Sequence, residues 1–179
     1  MNCNQSHKAR EWLSTFKGGM MFYLGCHLID LVFRIQGEPR RIIPLNKCTG
    51  YEDVYSEDFG MAILEYDDGV SFVKCDGCET GGYVRRQLVV TGSKGTVEIK
   101  PFEVMDSLEK LTIRTEATVY KDAGWFDEGE KISTEAFNRY GNMMLAFAAM
   151  VRGEMKNPNT PDYEAKLFKI IMRCCGAEN

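Results

Sequence analysis

Hydrophobic positions recur with a helical period in several parts of the chain. From Leu28 onward the apolar residues are spaced by three and four positions and share one helical face: Leu28, Leu31, Val32 and Ile35. Gly37 and Pro39 follow this stretch and are typical of a helix end. The same period predicts three further helices, one over about 6–16, one over 137–151 and one from Pro161 to Cys174.

Between these helices the period shortens to that of β-strands. Six runs are predicted as strands: 41–47, 59–66, 70–75, 84–91, 96–100 and 111–119. The turn sequences at 67–69 and 92–95 imply antiparallel pairing. In 84–91 one set of alternating positions is more apolar than the other, as in a sheet covered on one side. The pattern therefore predicts an α+β fold, a two-layer unit with an open, mostly antiparallel sheet covered by helices on one face.

Length and composition favour one globular domain. The 179 residues, 44% hydrophobic and 27% charged, are typical of a soluble domain, which we expect to span 1–179. The net charge of -4 and the lack of a basic run argue against nucleic-acid binding. No apolar run is long enough to cross a bilayer, and residues 1–8 lack the order of a signal peptide. We therefore expect a cytoplasmic protein that binds neither nucleic acid nor membrane.

The seven cysteines do not predict a disulfide framework or a metal site. Their number is odd, they are scattered, and the chain is not a short secreted one. Cys75 and Cys78 have the spacing of a metal or redox pair, but no second pair of ligands accompanies them. We expect no metal ion to bind.

His27 is the first candidate for chemistry. It is one of two histidines and lies at the start of the predicted helix, behind a glycine-rich approach. Asp30 and Arg34 share its polar helical face, because they follow at intervals of three and seven residues. Histidine titrates near neutral pH, so His27 with a carboxylate one turn away can transfer protons. The alternative is a half-exposed histidine on the surface of a solvated helix.

Three segments resemble motifs of one enzyme family. Residues 18–30 (GGMMFYLGCHLID), 57–69 (EDFGMAILEYDDG) and 89–99 (VVTGSKGTVEI) resemble the substrate-binding half of the Gfo/Idh/MocA oxidoreductases, in the family's order. The resemblance covers roughly 17–176. The family's Gly-x-Gly-x-x-Gly and Glu-Lys-Pro motifs are absent from the sequence. The chain is thus expected to be the C-terminal domain of a larger oxidoreductase whose N-terminal Rossmann domain is missing, inactive by itself and without a bound cofactor.

The resemblance also implies a reaction and its residues. In the family, NAD or NADP binds the Rossmann domain, and a sugar or polyol binds between the halves. His27 matches the histidine that takes or returns the hydroxyl proton, and Asp30 matches the carboxylate of the same helix. Tyr23 occupies the position where many members have an aspartate, so a hydrogen-bond donor replaces an acceptor. Tyr83 and Arg85 are predicted to contribute to the substrate pocket, although an exposed strand arginine is often only solubilising.

The open sheet raises the question of a partner. Its uncovered face is expected to carry Val89, Thr91 and apolar cross-strand neighbours, which favours a homodimer or higher homo-oligomer through this face. Family members similarly associate through this sheet. Two alternatives stay open: a free-standing, non-enzymatic module for binding or oligomerisation, and half of an NAD-dependent glycoside hydrolase.

Overall fold

The computed structural model describes residues 1–122 and 124–177, which fold as two compact units. The first unit comprises Met1–Gly82 and the described part of Asn159–Asn179, and the second comprises Tyr83–Pro158. The sequence predicts one domain over 1–179, and that prediction stays open, because two compact units can belong to one domain.

Helices and strands occur in both units. The helices are α1 (His7–Leu13), α2 (Cys26–Gln36), α3 (Gly141–Val151) and α4 (Pro161–Cys174), with a π-helical turn at Met21–Gly25 and 3₁₀ turns at Tyr51–Asp53 and Tyr83–Arg85. The strands are β1 (Arg41–Pro44), β2 (Phe59–Tyr66), β3 (Gly69–Asp76), β4 (Leu88–Gly92), β5 (Gly95–Ile99), β6 (Val104–Ser107), β7 (Thr112–Arg114), β8 (Glu116–Tyr120), β9 (Glu130–Ser133) and β10 (Phe137–Asn138). This mixture of helices and antiparallel open sheets confirms the predicted α+β class.

In the first unit, α2 and α4 pack together beside the antiparallel sheet β1-β2-β3. The two helices bury the apolar side chains Leu28, Ile29, Val32, Leu167, Ile170, Ile171 and Cys174. These contact buried residues of the sheet, including Leu64 and Val73. The predicted stripe of α4 is confirmed. In α2, Ile35 of the predicted stripe is 51% exposed, whereas Ile29, which lies outside that stripe, is buried.

The second unit contains two further antiparallel sheets, β4-β5-β8-β9 and β10-β7-β6. The sequence predicts one open sheet, whereas the described residues form three. The predicted strand 84–91 begins only at Leu88. Arg86 interrupts it: its guanidinium lies 4.3 Å from the centre of the Tyr83 ring, and its carbonyl accepts from the Phe102 backbone N–H at 2.8 Å. The buried Arg86 thus holds a 3₁₀ turn in place of the strand's first residues.

Asn138 explains why the third helix starts later than predicted. Phe137 and Asn138 pair with β7 as a short strand, and α3 begins at Gly141. The Asn138 side-chain oxygen accepts from the backbone N–H groups of Tyr140, at 3.0 Å, and Gly141, at 2.7 Å. This local turn ends the strand and starts the helix.

The face of β4 that carries Val89 and Thr91 is more polar than the sequence predicts. Val89 pairs with Glu98, which in turn pairs with Thr118, and Thr91 pairs with Thr96. Because directly opposed residues lie on the same face of a sheet, the neighbours of Val89 are mostly polar. The apolar row across the sheet lies on the opposite face, at Val90, Val97 and Val119.

Over 1–122 and 124–177, every helix is too short or too polar to span a membrane.

Candidate functional site

A tight chain crossing fixes the approach to α2. Gly18 and Gly19 have positive φ angles of 88° and 41°. A Cβ on Gly19 would collide with the backbone carbonyl of Glu57, so glycine is required there. The close approach lets the Glu57 carboxylate accept from the Gly18 N–H at 2.7 Å and its carbonyl accept from the Met20 N–H at 2.8 Å. Two of the three motif segments are therefore joined through Glu57.

The π-helical turn Met21–Gly25 leads directly into α2 and presents Tyr23 and His27 on one side. Met20 and Met21 are fully buried and anchor the turn, whereas Tyr23 is 40% exposed and His27 is exposed. Residues four apart in a helix lie about one turn apart on the same face, so this spacing places Tyr23 and His27 on one side of the helix start. Isolated π-helical turns are frequent at functional sites.

Asp30 is bound to two other side chains. Both of its oxygens accept from Arg34 Nε at 3.1 Å, and it also accepts from the Tyr163 hydroxyl. The Arg34 guanidinium lies 4.8 Å from the centre of the Tyr163 ring, and Phe33 stacks on the same ring at 5.1 Å. Burial and the hydrogen bond to Asp30 raise the pKa of Tyr163 to about 12. Asp30 therefore joins α2 to α4.

The structure does not bring Asp30 and His27 together in a hydrogen bond. Within residues 1–122 and 124–177, the His27 imidazole forms no hydrogen bond or ion pair, which leaves both ring nitrogens accessible to a ligand. The suggestion that Asp30 orients His27 stays a prediction.

Four aromatic rings, one of them that of Tyr23, contact one another in series, and we refer to Trp12, Phe16, Phe22 and Tyr23 as the aromatic cluster. Trp12 is nearly perpendicular to Tyr23, at 85° with 5.3 Å between ring centres, and it contacts Phe16 at 4.9 Å. Phe16 in turn contacts Phe22 at 5.7 Å. The helical period over 6–16 predicts Trp12 among the apolar contacts of this helix, but Trp12 is 51% exposed. Arg10 and Leu13, three residues apart, occupy the buried face instead, a signal obscured by the charge of Arg10.

Tyr83 and Arg85 lie in the second unit, within the 3₁₀ turn Tyr83–Arg85, and both are exposed. Tyr23, His27 and Asp30 belong to the first unit. The contribution of Tyr83 and Arg85 to a substrate pocket stays a prediction.

The cysteines of the described chain are free thiols. Burial raises the pKa of Cys75 to about 12. Burial and a hydrogen bond to Asp58, at 3.3 Å, raise the pKa of Cys78 to about 11. Both thiols are therefore protonated at neutral pH and poorly nucleophilic. Residues 1–122 and 124–177 contain no group of three or more histidine, cysteine or carboxylate side chains suited to a metal ion.

A half-open cavity of about 430 Å³ lies over β5, β8 and β9 in the second unit. Its polar lining alternates in charge: Glu98, Lys100, Glu116, Thr118, Lys131 and Ser133. None of the predicted site residues lines it.

Comparison with known families finds a match to the GFO/IDH/MocA C-terminal domain over residues 2–98, more than half of the chain. Comparison with curated proteins finds no match.

Among solved structures, the chain is similar to a provisionally assigned NADPH-dependent oxidoreductase from Desulfitobacterium hafniense, with a TM-score of 0.70 and 16% identity over 98% of this chain and 50% of that one. A provisionally assigned oxidoreductase from Klebsiella pneumoniae gives a TM-score of 0.65 and 17% identity over 88% of this chain and 46% of that one. A provisionally assigned oxidoreductase from Bacillus subtilis gives a TM-score of 0.65 and 14% identity over 88% of this chain and 49% of that one. At these identities the similarity shows the fold alone, and the chain spans about half the length of each structure.

Proposed function

The chain belongs to the GFO/IDH/MocA C-terminal domain family, and from this premise we propose that it is the substrate-binding and oligomerisation part of an NAD(P)-dependent sugar or polyol dehydrogenase. The observation that carries the proposal is the exposed His27 imidazole, which lies one turn after the exposed Tyr23 phenol on a firmly anchored helix start.

The proposed role of His27 is proton transfer. As a substrate alcohol is oxidised to a carbonyl, a ring nitrogen of His27 takes the hydroxyl proton, and in the reverse direction the imidazolium returns it. Because no protein group in the described residues occupies the imidazole nitrogens, a substrate hydroxyl can reach them directly.

Tyr23 is proposed to bind the substrate as a hydrogen-bond donor. A carboxylate at this position would accept hydrogen bonds and could take a proton, whereas a neutral phenol donates one. Its hydroxyl, one turn from His27, can hold a second substrate oxygen while His27 handles the reacting one.

The chain's own residues do not fit a dinucleotide site. A dinucleotide binds at the ends of parallel strands joined by helices, whereas all the strand pairs of the three described sheets are antiparallel. We therefore propose that NAD or NADP binds to another part of the protein.

The test is turnover of the protein expressed from its complete reading frame. We expect His27→Ala to lower kcat/KM for the alcohol substrate by about 100-fold or more, because general acid–base catalysis contributes at least that much. His7→Ala is the matched control, since His7 is exposed on α1 and pairs with Glu11 at 3.5 Å. Turnover that His27→Ala leaves unchanged would remove His27 from the mechanism.

Tyr23 in place of the family carboxylate favours a second candidate function, a non-enzymatic binding module. The two functions differ in an observable way: the module binds a polyol but transfers no hydride with either NAD or NADP. The remaining alternative, an NAD-dependent glycoside hydrolase, is tested by analysing the products formed from glycosides, since it predicts net hydrolysis instead of oxidation.

The oligomerisation part of the proposal rests on the four-stranded sheet of the second unit. Glu98, Thr118 and Lys131 are aligned across β5, β8 and β9 on the face that carries Val89. Under a two-fold axis, acidic and basic side chains of this row can face their opposites in a second copy. We expect Lys131→Glu to weaken association measured by light scattering, and the exchange Glu98→Lys with Lys131→Glu to restore it. Unchanged association in Lys131→Glu would exclude this face.

A further inference from the structure

Trp12 lies on a helix that is held firmly on both sides of it. Arg10 is 1% exposed, donates to the Gln5 carbonyl at 2.6 Å and pairs with Glu52. Leu13 is buried in the core of the first unit. The side chain of Ser6 caps the helix by accepting from the Ala9 N–H at 3.3 Å. The backbone of Trp12 is therefore fixed although its indole is exposed.

The indole is also positioned by rings. Its contacts with Phe16, at 69° between the ring planes, and with Tyr23, at 85°, are edge-to-face, an arrangement that aromatic pairs prefer. These contacts restrict the side chain but leave 51% of Trp12 accessible. An indole that is fixed by its neighbours and still half exposed loses little conformational freedom when a ligand binds to it.

The position of Trp12 links this surface to the proposed chemistry. Tyr23 contacts Trp12, and His27 follows Tyr23 by one helical turn. A six-membered polyhydroxylated ring has C–H groups on its faces and hydroxyls around its rim. With one C–H face on the indole, such a ring presents its rim hydroxyls beside the Tyr23 ring, one helical turn before His27. An open-chain polyol has no such face, although it carries the same hydroxyl groups.

We infer that Trp12 is a specificity-determining residue that stacks against the face of a cyclic sugar or cyclic polyol and selects it over an open-chain polyol. This inference rests on the proposed function and narrows its substrate class.

Trp12 can be observed by itself, because the sequence contains only one other tryptophan, Trp125. Trp125 lies in the second unit and is 99% exposed, so Trp125→Phe leaves Trp12 as the only indole without disturbing a core. In this variant we would titrate the 179-residue chain with myo-inositol, D-glucose and sorbitol and follow tryptophan emission. We expect a saturable change with the two cyclic compounds and at least a tenfold weaker response to sorbitol.

Substitution of Trp12 provides the second measurement, with binding followed by ligand-observed NMR. We expect Trp12→Ala to weaken binding of myo-inositol by tenfold or more and Trp12→Phe to weaken it less, because a smaller ring still stacks. Tyr55→Ala is the matched control, since Tyr55 is a 77% exposed aromatic residue of the first unit outside the aromatic cluster. Circular dichroism checks that each variant is folded.

Several results would overturn the inference: equal binding of sorbitol and myo-inositol, wild-type binding by folded Trp12→Ala, or no binding of any of the three polyols at their solubility limits. An emission change with nicotinamide mononucleotide but not with sugars would assign the indole to the cofactor ring and also overturn it. The proposed function fails separately. If His27→Ala leaves turnover unchanged while Trp12→Ala loses cyclic ligands, the site binds sugars but His27 does not catalyse.

Discussion

Tyr163→Phe tests whether Asp30 serves the structure or the reaction. The substitution removes only the hydroxyl that donates to Asp30 from α4. The ring remains, so its stacking on Phe33 at 5.1 Å and its contact with the Arg34 guanidinium are kept. Asp30 also keeps both bonds from Arg34 Nε at 3.1 Å. The variant therefore isolates one hydrogen bond between α2 and α4.

The size of the effect follows from that geometry. A hydrogen bond to a charged group contributes about 1.5–3 kcal/mol, and the lower part of this range applies where the site is partly exposed and the carboxylate keeps another partner. We expect the free energy of unfolding to fall by about 1–2 kcal/mol. For a chain of this length, that corresponds to a decrease in Tm of about 2–8 °C.

Thermal unfolding at pH 7 measures the stability, and kcat/KM of the complete protein measures the reaction. Tyr120→Phe is the control, because its hydroxyl is 3.5 Å from Glu98 and forms only a weak bond. If Asp30 only joins the helices, Tyr163→Phe loses stability and keeps kcat/KM within a few-fold. A variant with unchanged Tm and kcat/KM lowered tenfold or more would refute this reasoning and make Asp30 part of the proton pathway.

Three other predictions follow from the same geometry. The folded-state pKa of Tyr163 is raised to about 12 from an ordinary value near 10, so the stabilising effect of its hydroxyl is fully present below pH 10 and is lost as the pH rises to about 12. The difference in Tm between wild type and Tyr163→Phe should therefore shrink between pH 10 and 12, and a constant difference would contradict this pH dependence. Asp58→Ala should lower the free energy of unfolding, measured in urea, by about 2–4 kcal/mol, because the fully buried carboxylate accepts from the Thr49 N–H at 2.8 Å and from the Thr49 hydroxyl at 2.6 Å. The control Asp67→Ala removes an exposed ion pair and should lower it by less than about 1 kcal/mol. Gly19→Ala should lower the free energy of unfolding by about 1–3 kcal/mol, because φ is positive there and a Cβ would clash with the Glu57 carbonyl. Gly69 has open space around it, so the control Gly69→Ala should cost about 1 kcal/mol or less, and equal losses of stability would refute the clash.

Periodicity predicted the helices and hairpins of the first unit well because local patterns and burial agree there. The buried face of α4 follows the predicted spacing, and β2 and β3 pair across the predicted turn. The strand predicted at 84–91 failed where a charged side chain is buried, since alternation gives no sign that Arg86 turns inward. The start of α3 failed because Asn138 makes a turn that hydrophobic spacing does not record.

The sequence likewise predicted some residues of the candidate site and missed others. His27 and Tyr23 could be identified because a resemblance pointed to them, and their exposure follows from helical spacing. The Arg34 partner of Asp30 lies on the same predicted helical face, but its Tyr163 partner could not be predicted, because Tyr163 is more than a hundred residues away in sequence. Trp12 was missed because nothing local distinguishes an exposed tryptophan from a core one.

The segments 18–30 and 57–69 contain polar side chains that bind other parts of the chain and polar side chains that are exposed. The Glu57 carboxylate accepts from the Gly18 N–H in front of α2, and Asp30 accepts from Tyr163 of α4, so one carboxylate holds the approach to α2 and the other holds α2 against α4. Proton transfer requires a donor and an acceptor within hydrogen-bond reach, which a loosely held helix end cannot maintain. We therefore expect the two carboxylates to affect the proposed reaction only through position. Their substitution should lower stability more than turnover, and substitution of His27 should do the reverse.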